Sequence, residues 1–286
     1  MTPPELPSLG EIRTAAETVS TVTLHTPLVP YRDERFQFVE PPLLLKPEIL
    51  QPVTSFKIRG VFWAVASMSA DQRAPGVSTV SAGNTAQALA WAARHFGVPA
   101  RSLMPDTAPP PKIEAVRALG GEPVLVPVDE LFAYLKEHRW EREPEAFVHP
   151  WTDRRVLVGH GSLGLEIARD CPEAESVYLS VGGGGLLAGA ASALRQLCPK
   201  TRVVAVEPTG CAALAAALDR DRPVEVPCST LCDGIAVPYI TEEMFPLLRD
   251  LVDDVVVIDD ADTRRTMRTL LLRHKMLVEP AGAITV

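Results

Sequence analysis

Short aliphatic runs alternate with stretches of helical length along most of this 286-residue chain. The aliphatic runs predict buried parallel strands at residues 43–45, 77–80, 100–104, 123–126, 176–181, 201–206 and 254–258. Ala-rich or amphipathic stretches predict helices at residues 56–68, 85–96, 111–119, 129–139, 161–169, 186–197, 211–218 and 261–274. This alternation predicts an α/β fold of three-layer domains, in which helices cover mostly parallel sheets.

Three strand–helix units follow one another closely between residues 75 and 150, and the last ends at His149-Pro150. We therefore predict two domains. Residues 1–74 and 151–286 form a large domain, and residues 75–150 form a small domain that closes over a substrate. In this arrangement a ligand lies in the cleft between the domains, where strands end and helices begin.

Charge and composition exclude several classes of protein. The chain has 28 Lys and Arg against 36 Asp and Glu, a net charge of −8. Without a basic run, nucleic acid is not an expected partner. No stretch reaches the roughly 18 to 20 apolar residues of a membrane span, and no secretion signal follows Met1, so we predict no membrane partner. Five irregularly spaced cysteines favour a reducing cytoplasm over a disulfide framework.

A lysine at the start of an apolar helix is the first candidate for chemistry. Lys57 stands between Phe56 and Ile58. A nucleophilic lysine must be partly deprotonated, and apolar surroundings lower its pKa by desolvation. The alternative is a surface lysine at a helix start, which is the commoner case for a lysine taken alone.

A small, polar segment follows the strand predicted at residues 77–80. Its residues are Ser81, Ala82, Gly83, Asn84 and Thr85, and a long Ala-rich helix comes next. The free N–H groups and the dipole of that helix favour an anion such as a carboxylate. The alternative is an ordinary helix start capped by Ser81, Asn84 or Thr85.

Four consecutive glycines separate a predicted strand from a predicted helix: Gly182, Gly183, Gly184 and Gly185. Such a loop lets backbone N–H groups surround a phosphate, which the helix N-terminus also attracts. The alternative is a flexible loop.

The glycine loop also fits a dinucleotide-binding fingerprint. Gly183, Gly185 and Ala188 have the required spacing, and Glu207 ends the next predicted strand, where a ribose-binding carboxylate belongs. A nicotinamide-dependent oxidoreductase is therefore an alternative of a different class. It leaves Lys57 and the segment 81–85 without a role, whereas a phosphorylated aldehyde cofactor uses all three motifs.

Together these motifs resemble the pyridoxal-phosphate enzymes of the tryptophan-synthase-β type (fold type II). The resemblance is strongest to the serine/threonine dehydratases and serine racemases, and it runs from about Thr26 to the end of the chain. Further matching motifs are Lys46-Pro47-Glu48, the segment 51–57, His149-Pro150, Gly159-His160-Gly161-Ser162, Glu207-Pro208, Asp233-Gly234 and Glu279-Pro280.

The resemblance implies a role for each site residue. Lys57 would carry the cofactor as a Schiff base, with Phe56 beside the ring. Gly182, Gly183, Gly184 and Gly185 would hold the phosphate, Asn84 would bind the ring hydroxyl, and Gly234 and Glu279 would complete the cofactor site. Ser81, Ala82, Gly83 and Thr85 would surround the substrate carboxylate.

The implied reaction is α,β-elimination from a β-hydroxy amino acid such as L-threonine or L-serine, giving a 2-oxo acid and ammonia. Lys57 would remove the Cα proton. The resemblance also implies a homodimer. Relatives that bind a divalent cation use a glutamate matching Glu207 and a carboxylate at the position of Ala213, so we expect no metal here.

Two departures bear on the reaction. Ala82 stands where racemases carry a second serine, which favours elimination over racemisation. Thr85 replaces the histidine of the dehydratases and resembles the β-replacement synthases, although Ile58 departs from those synthases. Serine racemase, β-replacement synthase and a catalytically silent member remain alternatives.

Four further residues have less specific interpretations. Arg59 is expected to pair with an acidic residue and support the loop, not to act in catalysis. His160 is expected either to touch the cofactor pocket or to bind at a helix start. Cys228 and Cys232 lack the spacing of a zinc site, and we interpret this segment as a core thiol plus loop.

Overall fold

The computed structural model describes residues 5–33 and 42–286. Its helices are α1 (Leu9–Val19), α2 (Lys57–Ala66), α3 (Ala70–Arg73), α4 (Asn84–Phe96), α5 (Pro110–Ala118), α6 (Val128–Lys136), α7 (Arg154–Asp170), α8 (Gly185–Leu197), α9 (Ala213–Asp219), α10 (Met244–Leu251), α11 (Asp260–Thr269) and α12 (Pro280–Ala283). Its strands are β1 (Val29–Pro30), β2 (Leu44–Leu45), β3 (Val77–Val80), β4 (Ala100–Pro105), β5 (Glu122–Val126), β6 (Ala146–Phe147), β7 (Ser176–Ser180), β8 (Arg202–Pro208) and β9 (Asp254–Ile258).

Two parallel sheets organise the described chain. The four-stranded sheet has the order β5-β4-β3-β6, and the three-stranded sheet has the order β7-β8-β9. All pairings within these two sheets are parallel, whereas β1 and β2 form a short antiparallel pair. The prediction of mostly parallel sheets is confirmed.

Helices cover both faces of the four-stranded sheet. Leu103 and Met104 are neighbours in β4 and therefore point to opposite faces. Leu103 belongs to the core cluster that contains Leu131 of α6. Met104 belongs to a separate cluster with Ala90 of α4 and Ile113 of α5. Each face of the sheet therefore has its own helical layer, which is the predicted three-layer arrangement.

The three-stranded sheet is covered in the same way. Ala205 of β8 shares a core cluster with Leu187 of α8. Val206, the next residue, packs in another cluster with Ile235 and Ala281. The segment around Ile235 and the start of α12 therefore lie on the face opposite α8.

Helix α7 lies between α2 and α8 and approaches both closely. A Cβ atom at Gly159 would lie 2.6 Å from the Arg59 carbonyl oxygen of α2. One at Gly164 would lie 2.2 Å from the Ala190 carbonyl oxygen of α8. Only glycine permits these approaches, so α7 sets the position of the helix that begins at Lys57 relative to the helix that follows the four glycines.

Some elements differ from the sequence prediction. Helix α7 begins at Arg154 and is capped by Asp153, seven residues earlier than the predicted start at residue 161. Its glycines lower the intrinsic helix propensity, but packing against two neighbours outweighs it. The two-residue strand β6 and the helices α1 and α10 were not predicted. Within the described residues, no helix is both long and apolar enough to cross a membrane.

The cysteine prediction is wrong for one pair. Cys211 and Cys228 form a disulfide, whereas Cys171, Cys198 and Cys232 are free. The loop after α9 returns to the end of β8 and brings the Cα atoms of the pair to 4.4 Å. Spacing along the chain does not reveal this contact, because it depends on the path of the loop. Cys232 is buried, as expected of a core thiol.

Candidate active site

Lys57 is the first residue of α2, in the position that the sequence predicts. The backbone before it turns sharply, since Thr54 has a φ of 53°. A β-branched residue rarely adopts this left-handed conformation, and such strain concentrates at functional sites. The Ser55 hydroxyl accepts the Lys57 backbone N–H at 3.3 Å. This local structure fixes the direction in which α2 begins.

The electrostatic setting of Lys57 suits an amine that must lose its proton. Burial lowers the pKa of Lys57 to about 8, because the surrounding protein excludes the water that stabilises the ammonium form. The negative charge of Glu279 opposes this effect. The Phe56 ring lies beside the amine, with Nζ 4.9 Å from its centroid. A lysine with this pKa is not an ordinary surface lysine.

Arg59 anchors α2 from behind. It is 1% exposed, and its guanidinium binds Glu48 at 2.6 Å and Glu166 at 2.7 Å. These contacts tie α2 to the short turn Glu48–Leu50 and to α7. The predicted role of Arg59 as a supporting ion-pair residue is confirmed.

His160 lies in the interior of α7, so the interpretation as a helix-start residue is wrong. Its ring meets the Phe56 ring edge-on, with the centroids 5.0 Å apart. Within the described structure, neither ring nitrogen has a hydrogen-bond partner. Burial, followed by the charges of Lys57 and Arg59, holds the pKa of His160 well below its usual range. His160 is therefore a neutral group behind Phe56.

The four glycines lie between β7 and α8, and neighbouring segments pack closely against them. A Cβ atom at Gly182 would lie 2.9 Å from the Ile235 Cα, and one at Gly183 would lie 2.3 Å from the Trp151 ring. Gly184 has a φ of +89°, and its Cβ would meet Leu248 at 2.5 Å. Packing on this side restricts the conformations that the loop can adopt, which argues against the flexible-loop interpretation.

Helices α4 and α8 both begin at the site without a side-chain cap within the described residues. At α4 the Ser81 hydroxyl accepts the Gly83 N–H at 3.0 Å, which shapes the turn but does not cap the helix. The interpretation of this segment as an ordinary capped start is therefore wrong. Uncapped N–H groups at a helix N-terminus favour an external anion.

Asn84 joins the two halves of the site. Its Nδ2 donates a hydrogen bond of 2.6 Å to Glu279 Oε1. Asn84 begins α4 beside the four-stranded sheet, whereas Glu279 immediately precedes α12. An amide nitrogen carries two hydrogens, so the second remains available to a ligand. Gly234 lies next to this pair, because a Cβ atom there would be 3.6 Å from Glu279 Oε1.

The remaining predicted substrate residues lie on the same turn. Thr85 is buried in the first turn of α4, and Gly83 directly precedes that helix. Ala82 and Ser81 are partly exposed. The structure thus places Ser81, Ala82, Gly83 and Thr85 at one uncapped helix start.

The residues present fit pyridoxal phosphate. A glycine turn at the start of α8 offers backbone N–H groups to a phosphate, and Lys57 offers an amine with a pKa of about 8 to an aldehyde. Asn84 keeps a free donor for a ring oxygen. All three features belong to a site on which residues from both sheets converge.

The nicotinamide alternative loses its key residue. Glu207 is buried at the end of β8, where it accepts the N–H groups of Leu214 and Ala215 at 2.8 Å each. Its carboxylate caps α9 and does not face a ribose site. Burial raises the pKa of Glu207 to about 7, and the backbone donors oppose this shift. Among the residues that the structure describes, no cluster of three or more His, Cys, Asp or Glu could hold a metal ion.

Two further side chains at the site, those of Trp151 and Lys112, are not among the predicted site residues. Trp151 packs against the glycine loop, and Lys112 reaches Asp233 across the cleft at 2.6 Å. Trp151 follows the His149-Pro150 motif, which was a usable signal. Lys112 belongs to a helix that looks ordinary in sequence, so no local signal singled it out.

Comparisons with known proteins agree with this geometry. The family described as "Pyridoxal-phosphate dependent enzyme" matches residues 19–286. The chain belongs to this family, whose cofactor is pyridoxal phosphate.

Similar curated proteins include L-threonine ammonia-lyase of Geobacter sulfurreducens, 40% identical over 85% of this chain and 61% of that protein. The enzyme of the same name from Thermotoga maritima is 36% identical over 98% of this chain and 70% of that protein. The chain also matches 48% of the biosynthetic L-threonine dehydratase of Escherichia coli at 37% identity. It therefore spans about half to two thirds of the length of these relatives.

Solved structures show the same fold. Maize serine racemase has a TM-score of 0.90 at 30% identity and covers 98% of this chain and 85% of its own. The processed form of threonine deaminase isoform 2 from Solanum lycopersicum has a TM-score of 0.86 at 30% identity, covering 100% of this chain and 87% of its own. The predicted fold class, a two-domain α/β structure of fold type II, is confirmed.

Proposed function

We propose that this chain is a pyridoxal-phosphate-dependent ammonia-lyase that converts L-threonine, and secondarily L-serine, to a 2-oxo acid and ammonia. The observation that carries the proposal is the Lys57 amine at the start of α2, which lies 4.9 Å from the centroid of the Phe56 ring and whose pKa burial lowers to about 8. The similar curated proteins named L-threonine ammonia-lyase support the choice of substrate. The domain boundaries at residues 75 and 150, a homodimer and a cytoplasmic location stay predictions.

The cofactor would be held by residues from both sheets. The N–H groups of Gly182, Gly183, Gly184 and Gly185 would bind its phosphate. Lys57 would attach its aldehyde carbon, with Phe56 beside the ring, and Asn84, Gly234 and Glu279 would line the remainder. When bound, pyridoxal phosphate supplies an electron sink that acidifies the Cα–H bond of an amino acid and promotes loss of its β-hydroxyl.

The substrate would be oriented by the start of α4. Its carboxylate would bind the uncapped N–H groups near Gly83, with the hydroxyls of Ser81 and Thr85 as further donors. A substrate held there would need to present its Cα–H bond to Lys57. The Lys57 amine, set free when the substrate amine takes its place, would then remove the proton, because its lowered pKa makes the free base available near neutral pH.

Ala82 favours elimination over racemisation. Racemisation requires a proton donor on the face of the substrate opposite Lys57, and a methyl group cannot donate a proton. Serine racemase remains the second candidate because the maize enzyme has the same fold with a TM-score of 0.90.

The test is to measure 2-oxo acid released from L-threonine and L-serine with added cofactor. Lys57→Ala should reduce turnover by about 1,000-fold or more, since both the attachment point and the base are removed. Lys200→Ala removes an exposed lysine and is the matched control, which should retain activity. Wild-type protein should also show a visible absorption band that borohydride removes, leaving the cofactor on Lys57. Full activity of Lys57→Ala would contradict the mechanism.

A chiral assay of unreacted serine distinguishes the second candidate. Accumulation of D-serine without 2-oxo acid would replace the lyase by a racemase. Binding of a nicotinamide cofactor, with no response to pyridoxal phosphate, would overturn both.

A further inference from the structure

An ion-pair cluster at the mouth of the cleft contains a lysine, Lys112, that has no role in the proposed reaction. Lys112 Nζ lies 2.6 Å from Asp233 Oδ2 and 3.7 Å from Glu279 Oε2. Lys112 belongs to α5, which packs beside the four-stranded sheet. Asp233 and Glu279 lie in segments that pack on the three-stranded sheet. The lysine therefore bridges the two sides of the cleft.

The stem of Lys112 passes directly over the predicted carboxylate site. A Cβ atom at Gly83 would lie 2.4 Å from the Lys112 Cδ and 3.2 Å from its Cβ. The absence of a side chain at Gly83 is what lets the lysine cross at this point. Its ammonium group is thereby held beside the uncapped start of α4.

Glu279 connects this cluster to the reacting groups. Its Oε1 accepts the hydrogen bond from Asn84, and its Oε2 faces Lys112. The same carboxylate raises the pKa of Lys57. Two carboxylates and one ammonium thus share the cleft mouth, and removing Lys112 would leave both negative charges without this counterion.

The cluster is accessible to solvent and ligands. The side chains of Lys112, Asp233 and Glu279 are 20%, 36% and 36% exposed. Ion pairs with this exposure exchange readily and are weakened by salt. An anion that enters the cleft therefore experiences the net charge of the cluster.

We propose that Lys112 is a positioning residue that lets an amino-acid carboxylate enter and stay at the start of α4. The ammonium offsets the charges of Asp233 and Glu279, which would otherwise repel the carboxylate, and it holds Glu279 where Asn84 binds it. This role rests on the proposed function for its substrate class. It predicts a loss of affinity for anionic ligands and a smaller change in the chemical step.

The first experiment separates the effect of the Lys112 charge on KM from the effect of its side-chain shape. Lys112→Met should raise KM for L-threonine about 10-fold or more, with kcat changed about 3-fold or less, because the repulsion acts on the ligand before reaction. Lys112→Arg keeps the charge and should recover most of the affinity. Lys112→Met with Asp233→Asn removes one charge of each sign and should also recover part of it. Such recovery is not expected of a lysine that only supports the fold.

The second experiment needs no turnover. The absorption spectrum of the cofactor-loaded protein is titrated with L-alanine and with L-alaninamide, which lacks the carboxylate charge. Lys112→Met should weaken the binding of L-alanine about 10-fold more than the binding of L-alaninamide. Equal weakening of both ligands, or no weakening, would overturn the proposal.

The two proposals fail in different ways. If wild-type protein releases no 2-oxo acid but Lys112→Met still selectively weakens L-alanine, the reaction is wrong and the role of Lys112 stands. If turnover is normal and Lys112→Met leaves KM unchanged, the role of Lys112 is wrong and the reaction stands. If wild-type protein responds to neither ligand, both proposals are overturned.

Discussion

Two consecutive strand–helix turns of the three-stranded sheet differ in whether a side chain of the chain binds the N–H groups at the helix start. After β7, the glycine turn leads into α8 with no side-chain cap among the described residues. After β8, Glu207 accepts N–H groups from the first turn of α9. The second turn is further closed by the bond between Cys211 and Cys228. The turn before α8 is open to an external anion, whereas the turn before α9 is occupied by the side chain of Glu207.

The contrast shows how one type of structure serves two purposes. Both helices present free N–H groups and a positive dipole end, which attract negative charge. At α9 the chain supplies the hydrogen-bond acceptor from its own side chain, so the N–H groups are satisfied within the fold. At α8 small residues leave the charge to a ligand, so the same interaction becomes a binding site.

Placing an internal carboxylate in the open turn should remove the difference. Gly185→Asp puts a negative charge in the first turn of α8, whereas Gly185→Asn changes size equally without charge. Both side chains must displace Trp151, whose Cα would lie 3.0 Å from the new Cβ atom. Like charges about 4 to 5 Å apart repel by about 3 kcal/mol at an effective dielectric constant near 20. We expect the Gly185→Asp variant to bind pyridoxal phosphate about 100-fold more weakly than the Gly185→Asn variant in equilibrium dialysis. Equal affinities would mean that the phosphate lies elsewhere.

Removing the disulfide of the turn before α9 should lower the stability of the fold without weakening cofactor binding. Cys228→Ser removes a cross-link between residues 17 positions apart. We expect the free energy of unfolding to fall by about 3 kcal/mol, as for loops of similar length. Urea unfolding without reductant measures this, and reduced wild-type protein should match the variant. A tenfold loss of cofactor affinity would show that the two turns are coupled.

The charge of the internal cap should depend on pH. The folded pKa of Glu207, about 7, is raised above its unfolded value, so its stabilising contribution is complete below about pH 4.3 and is lost as pH rises through about 7. Relative to Glu207→Gln, wild-type protein should therefore lose roughly 3 kcal/mol between these values. Urea unfolding of both proteins at several pH values measures the difference. A difference that does not change with pH would mean that the α9 N-terminus fully offsets the effect of burial.

The smallest expected effect distinguishes the turns with a simple anion. Inorganic phosphate at about ten times its dissociation constant should stabilise cofactor-free protein by about 1.4 kcal/mol, which corresponds to roughly 3 °C in Tm. Glu207→Gln should show the same increase, and Gly185→Asp should show none. Loss of the increase in Glu207→Gln would place the phosphate at α9.

Much of the fold and site follows from sequence because it depends on neighbours in the chain. Strand–helix alternation predicts the parallel sheets, and Lys57 starts a helix as expected. Four adjacent glycines mark the open turn without reference to the rest of the structure. The start of α7 was misplaced because its glycines serve packing against α2 and α8, and this outweighs their low helix propensity.

The sequence by itself determined the layered architecture, the family resemblance and the residues at the two open helix starts. Only the tertiary structure decided that Glu207 caps α9, that Cys211 meets Cys228, and that Lys112 crosses Gly83 to reach Asp233. The physical reason is sequence separation. Periodicity and turn chemistry act within a few residues, whereas ion pairs, disulfides and desolvation depend on which distant segments packing brings together.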